Sequence, residues 1–298
     1  MKVTLILSFI LMAALVLMLY AAVALVQDRR LFKSAPKDMK ANYKNWVPGS
    51  LVAGICTGTA ALTAGAAYFG VMGKGNAAKA LSILCGTGAI GCGLMAGWSV
   101  TAYRAFSYDG KRKLSKQIIK GVAGYITLPD GGVGLDVGCG SGALTIACAK
   151  RNPQARMVGI DRWGVEYASF SKSLCEQNAL AEGVSNISFQ KGNAVKLEFE
   201  DETFDAVTSN YVYHNITGKE RQALLLETLR VLKKGGVFVI HDIFSKAKYG
   251  NMETFVAKLK EQGYERVELI DTTDGLFMSH REAVRLMLTG SALLVGRK

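Results

Sequence analysis

Three glycines at alternate positions, Gly138, Gly140 and Gly142, follow an acidic residue, Asp136, in the run GLDVGCGSGALT. The apolar stretch 133–137 before them has strand character, and helical spacing begins at about Ser141. A strand-to-helix turn without Cβ atoms bends tightly and lets a ligand approach the backbone. The N–H groups at such a helix start favour a carboxylate or a phosphate. Asp161 ends the next strand, 23 residues after Gly138, and Arg162 follows it. A carboxylate there can accept both hydroxyls of a ribose, although aspartate also caps helices well. After the third strand stand Lys191, Gly192, Asn193 and Ala194, where an amide can reach the edge of an adenine ring. The fourth strand, FDAVTS, runs into Asn210, Tyr211, Val212, Tyr213 and His214, and the fifth ends in His241 and Asp242.

The elements that must position these residues alternate. Short apolar runs occur at 133–137, 156–160, 186–190, 204–208, 236–241, 266–270 and 291–296, with helical patterns at 142–151, 164–180, 219–232 and 251–262. An amphipathic run, LSKQIIKGVAGYI, precedes them and ends at the turn 128–132. Such alternation predicts a parallel sheet covered on both faces. Ligands of such sheets bind at the carboxyl ends of the strands. That is where the glycine run, both strand-end acids and the 210–214 segment fall.

In this ordered combination the chain resembles the class I S-adenosylmethionine-dependent methyltransferases. The matching residues are the D-x-G-x-G-x-G run at 136–142, VGID ending in Asp161, GNA at 192–194, ETFDAVTSNYVYHNI at 202–216, LRVLKKGGVFVIHDIF at 229–244 and LTGSALLVGRK at 288–298. The resemblance covers roughly residues 115–298 and says nothing about 1–103. It implies an α/β fold, a doubly wound seven-stranded mostly parallel sheet with the last strand antiparallel, and S-adenosyl-L-methionine as cofactor. It assigns the glycine loop (Asp136, Gly138, Cys139, Gly140, Gly142) to the methionine part, Asp161 to the ribose, and Asn193 and Ala194 to the adenine. Arg162 and Asn210 complete the expected cofactor set. Asn193 departs from the aspartate that the family often has there. A dinucleotide-dependent oxidoreductase is the nearest rival, because Gly138, Gly140 and Ala143 also fit G-x-G-x-x-A. Asp136, Gly142 and the final LLVGRK favour methyl transfer.

Methyl transfer from a sulfonium needs proximity and alignment, and a proton acceptor only if the nucleophile carries a proton that must leave. Aromatic faces can favour the cationic sulfonium. Tyr211, Tyr213 and His214 are the candidate catalytic residues, with His214 as base or substrate contact. His280, before the last strand, reads as part of a surface helix. A non-catalytic cofactor-binding sensor or scaffold is the alternative from another class.

The net charge is +12, but its distribution is uneven. Residues 1–120 carry 15 Lys and Arg against Asp28, Asp38 and Asp109, whereas residues 121–298 carry 21 basic and 21 acidic side chains. The catalytic domain thus lacks the electrostatic footprint of a nucleic-acid binder. The six cysteines form no Cys-x-x-Cys pair, so neither a disulfide framework nor a zinc site is expected.

Residues 3–26, 51–73 and 80–103 contain no charged side chain, and each is long enough to span about 30 Å of hydrocarbon. Residues 1–103 are therefore expected to be a membrane region with three spans, and 104–298 a methyltransferase domain. The second glycine-rich stretch, LCGTGAIGCG at 84–93, falls inside the third span and reads as a helix-packing face. The Lys and Arg in 29–44 and 104–120 outnumber the two in the GKGNAAK turn. By the positive-inside rule the amino terminus lies outside and 104–298 in the cytoplasm, at the cell membrane. This location suggests a small or lipophilic acceptor, such as a quinone precursor, a phospholipid or another isoprenoid. The identity of the acceptor, the methylated atom and the oligomeric state are not written in the sequence.

Overall fold

The computed structural model describes residues 40–164 and 169–298. The first expected span, 3–26, lies outside the described residues. The described chain divides into two compact units, one holding 45–112 and the other 40–44 with 113–298.

The first unit is a helical hairpin of α1 (Gly49–Val71) and α2 (Gly75–Phe106). Both helices are long and apolar enough to cross a membrane. The expected seven-residue turn is shorter. Helix α2 begins at Gly75 and reaches 32 residues, so Lys79 and Arg104 lie within it. Gly73 permits the tight reversal, since a Cβ there would sit 2.4 Å from the Ala78 Cβ and 2.5 Å from the Phe69 carbonyl oxygen. LCGTGAIGCG is helical, as expected. Gly88 faces Leu62 and Gly93 faces Thr59 across the hairpin, and Ser82 Oγ donates to the Ala66 carbonyl at 2.8 Å.

The second unit opens with α3 (Leu114–Gly124), which buries Leu114, Ile118, Ile119 and Val122. Then follow β1 (Val133–Val137), α4 (Ala143–Arg151), β2 (Arg156–Asp161), α5 (Lys172–Ala181), β3 (Ile187–Lys191), β4 (Phe204–Asn210) and a 3-10 turn at Tyr213–Asn215. The rest comprises α6 (Arg221–Arg230), β5 (Leu232–Ile243), α7 (Lys246–Tyr249), α8 (Met252–Glu261), β6 (Glu265–Asp271), α9 (His280–Leu286) and β7 (Ser291–Arg297). All seven expected strands are present, with ends displaced by up to four residues.

The sheet has the order β3-β2-β1-β4-β5-β7-β6. The first five strands are parallel, and β7 runs antiparallel between β5 and β6. Buried Leu135, Val137, Ile160, Val207, Phe238 and Ile240 form the apolar centre, the near-continuous hydrophobicity of strands covered on both faces. The strand order reverses at β1 and β4. Their carboxyl ends diverge towards connections on opposite sides, and ligands of open α/β sheets bind in that crevice.

Candidate active site

The glycine run sits where β1 gives way to α4. Gly138, Gly140 and Gly142 have φ of 76°, 55° and 81°, in the left-handed region that favours glycine. Two of these glycines are required by neighbouring side chains as much as by any ligand. A Cβ at Gly138 would meet Val212 Cγ2 at 2.3 Å, and one at Gly142 would meet Phe189 Cζ at 2.9 Å. The loop backbone is tied from several sides. The N–H groups of Gly138 and Cys139 donate to the Ile160 carbonyl at 2.8 and 2.9 Å. Gly140 N–H donates to Asp161 Oδ2 at 2.9 Å, and the Gly140 carbonyl accepts from Trp163 Nε1 at 3.0 Å and Cys175 Sγ at 3.2 Å.

Asp161 therefore closes the loop as well as ending β2. Its Oδ1 accepts from Trp163 N–H at 2.7 Å. A carboxylate has about four lone-pair positions, so acceptor capacity remains for a pair of hydroxyls. At the end of β3, Asn193 Oδ1 accepts from Val195 N–H at 3.0 Å, which leaves its amide nitrogen as a donor for an acceptor on a base edge. Ala194 is half-buried beside it and Arg162 is exposed. Gly138, Gly140, Asp161, Asn193, Ala194 and Asn210 are all partly accessible along the carboxyl ends of β1 to β4. Their donor and acceptor set fits an adenosyl group with an amino-acid tail.

Four members of the expected set are buried: Asp136, Cys139, Gly142 and Tyr213. Asp136 is buried, and its Oδ2 accepts from Thr145 Oγ1 at 2.6 Å. It braces α4 beneath the loop. Burial, with the Asp161 charge nearby, pushes its pKa up to about 7. Cys139 is buried, and burial pushes its thiol pKa up. Tyr213 is fully buried, with its hydroxyl 2.5 Å from Thr228 Oγ1 on α6. It is a core residue, because the 3-10 turn after β4 rotates alternate side chains inward.

The same turn delivers His214 to the crevice. Val212 rests on Gly138, which seats the 211–214 segment against the glycine loop. His214 Nδ1 lies 2.5 Å from Asp242 Oδ1, and the imidazole is 15% exposed. Asp242 is fully buried at the end of β5, and its Oδ2 accepts from the N–H groups of Tyr213 at 2.8 Å and His214 at 3.3 Å. A buried carboxylate thus holds both the backbone and the ring of His214. Tyr211 has φ of 56°, an uncommon conformation for an aromatic residue. Its N–H donates to the His241 carbonyl, its hydroxyl lies 2.9 Å from Ser291 Oγ, and its ring lies 4.5 Å from that of His241. Burial pushes the Tyr211 phenol pKa up, which removes it as a proton acceptor. His241 Nδ1 meets Asn210 Oδ1 at 2.8 Å and Nε2 meets Thr272 Oγ1 at 3.1 Å, while burial pushes its pKa down to about 3. It is a neutral bridge that fixes the Asn210 amide.

Sequence reasoning left out Trp163, Val212 and Asp242 as site residues. An aromatic residue two positions after a strand-end acid is a usable signal for Trp163. The contacts of Val212 and Asp242 are long-range and leave no local trace.

Residues 129–272 match the family described as a methyltransferase domain. An uncharacterized methyltransferase of Schizosaccharomyces pombe is 34% identical over 103 residues, covering 34% of this chain and 36% of the relative. A demethylmenaquinone methyltransferase of Bacillus subtilis is 30% identical over 135 residues, covering 45% of this chain and 55% of the relative. A ubiquinone/menaquinone biosynthesis C-methyltransferase of Desulfotalea psychrophila is 32% identical over 120 residues, 40% of this chain and 45% of the relative. The chain thus spans about half the length, or less, of these curated relatives.

Proposed function

We propose that residues 129–272, which match a methyltransferase-domain family, form a class I, S-adenosylmethionine-dependent methyltransferase, and that the chain methylates a lipophilic acceptor with an acidic hydroxyl, of the quinone-precursor kind. The observation that carries the reading is the His214–Asp242 pair, seated on the glycine loop through Val212. The Bacillus and Desulfotalea relatives, a demethylmenaquinone methyltransferase and a ubiquinone/menaquinone biosynthesis C-methyltransferase, support a quinone-type ring as acceptor.

Asp161, Asn193 and the backbone of Gly138 and Gly140 would hold the cofactor. S-adenosylmethionine, when bound, supplies an electrophilic methyl group on a sulfonium. His214 Nε2 takes the proton of the acceptor hydroxyl, so that an O–H bond breaks and an N–H bond forms. Asp242 Oδ1 keeps Nδ1 protonated, which presents Nε2 as the basic nitrogen and then stabilises the imidazolium. Tyr211 offers an aromatic wall between His214 and His241, with ring centroids 5.9 and 4.5 Å away.

The acceptor reading also draws on the apolar segments. The proposal takes 3–26, α1 and α2 as three spans and, on the Lys and Arg bias of the loops, 104–298 as cytoplasmic, with access to membrane-dissolved substrates. Membranes containing the protein are incubated with donor labelled in the methyl group and then partitioned. Label should enter the organic phase, and the His214→Ala variant should transfer none. Label in protein or RNA, or none in any fraction, refutes a lipophilic acceptor.

A further inference from the structure

A short strap, residues 40–44, belongs to the same compact unit as the methyltransferase domain although the chain between them forms the α1–α2 hairpin. It lies far upstream of the matched residues 129–272. Asn178 on α5, which is 2% exposed, holds the strap through its side-chain amide. Asn42 N–H donates to Asn178 Oδ1 at 2.6 Å, and Asn178 Nδ2 donates back to the Asn42 carbonyl at 3.1 Å. The second Nδ2 hydrogen goes to the Ser141 carbonyl, in the glycine loop, at 2.9 Å. One amide therefore joins the strap to the loop.

The orientation of that amide is the informative point. An asparagine amide can rotate about its last torsion, which has broad, roughly two-fold preferences. Here a half-turn would face the NH2 group towards the Asn42 N–H, donor against donor. The strap backbone, by supplying one donor and one acceptor, permits a single orientation. That orientation aims Nδ2 at the Ser141 carbonyl. Helix α5 also holds the loop through Cys175 Sγ, at 3.2 Å from the Gly140 carbonyl, so the strap completes the α5 side of the loop's support. Tyr43, also in the strap, is buried, which anchors the segment beyond this one amide pair.

We infer that Asn178 is a positioning residue for the cofactor and that docking of residues 40–44 sets the affinity of the glycine loop for the methionine part of S-adenosylmethionine. This rests on the cofactor reading above. It makes donor binding dependent on a segment outside the domain itself: the 40–44 strap becomes a handle through which the preceding chain acts on the site.

The test uses the full chain in detergent, with S-adenosylhomocysteine and adenosine as probes. Asn42→Pro deletes the strap N–H and leaves the Asn178 side chain in place. Asn178→Ala deletes all three bonds. S-adenosylhomocysteine should bind about tenfold more weakly to each, the equivalent of about 1.4 kcal/mol, a single net hydrogen bond. Adenosine, which engages Asp161 and Asn193 but not the loop's amino-acid subsite, should bind within about twofold of wild type. A purely structural role would weaken both probes together, and that result overturns the inference. So does unchanged affinity for both probes in folded variants. Thermal melts establish folding; if Asn42→Pro does not fold, Asn178→Ala decides alone. A wild-type chain that binds neither probe refutes the proposed function itself, and the inference with it.

Discussion

Alanine at position 138 tests how the glycine loop and the 211–214 segment are joined. Gly138 has φ of 76°, and its missing Cβ would lie 2.3, 2.8 and 3.1 Å from Val212 Cγ2, Cγ1 and Cβ. Left-handed backbone costs a residue with a Cβ about 1–2 kcal/mol. The clash adds to this. Ordinary carbon–carbon contacts lie at about 3.5–4.0 Å, so Val212 must retreat by more than 1 Å, and its β-branched side chain has few rotamers with which to do so. Overpacking of this kind costs about 1–3 kcal/mol. The sum, about 3 kcal/mol, predicts a fall in Tm of about 6–12 °C for a unit of this size. Val212→Ala in the same chain should relieve the clash but not the backbone strain. The double variant should therefore be more stable than the two single losses predict, by about 1–2 kcal/mol. Melting curves of the four proteins, with and without S-adenosylhomocysteine, give the coupling. A single variant that melts within 1 °C of wild type, or a strictly additive double variant, refutes the contact as described.

Asp161 carries two loop bonds besides its expected ribose contact. Asp161→Ala should weaken S-adenosylhomocysteine binding at least about a hundredfold in calorimetry, and unchanged affinity refutes the assignment. Asp242→Asn should leave that binding within about twofold while lowering kcat about 10²–10⁴-fold, because the ring of His214 loses its orienting carboxylate; equal loss in both measurements would mean that the site has collapsed. Asp136 has a folded pKa raised to about 7 from 3.8, so its contribution is full below about pH 4 and is lost as pH rises through 7, a swing of about 4 kcal/mol. The Tm of wild type relative to Asp136→Asn should accordingly fall between pH 5 and pH 8, and a pH-independent difference contradicts the buried, protonated carboxyl.

Alternation of apolar runs and helical spacing made the sheet legible, because strands buried on both faces and helices buried on one leave different periodicities. Asp161 and the glycines were legible for a related reason: a tight turn and a strand-end acid are local features. What the glycines accommodate was not. Gly138 and Gly142 make room for Val212 and Phe189, partners 74 and 47 residues away. Tyr213 and His214 are adjacent in sequence and opposite in fate, because the 3-10 turn at Tyr213–Asn215 breaks the strand alternation that placed them together. Asp242 reads as the end of an apolar strand; its pairing with His214 exists only once β4 and β5 are side by side. Helix α2 runs past the charged flanks that seemed to bound it, since Lys79 and Arg104 each have a long apolar stem that a helix end tolerates.

The position of β7 has a consequence for how the chain acquires its structure. Residues 291–297 fill the slot between β5 and β6, so until they are in place β5 has a bare edge and β6 has no neighbour in the sheet. A nascent or truncated polypeptide lacking this segment would present two rows of unpaired amides and carbonyls, the template on which foreign strands aggregate. Assembly of this half of the sheet thus waits for β7, and is completed by insertion into a gap instead of by addition at a rim.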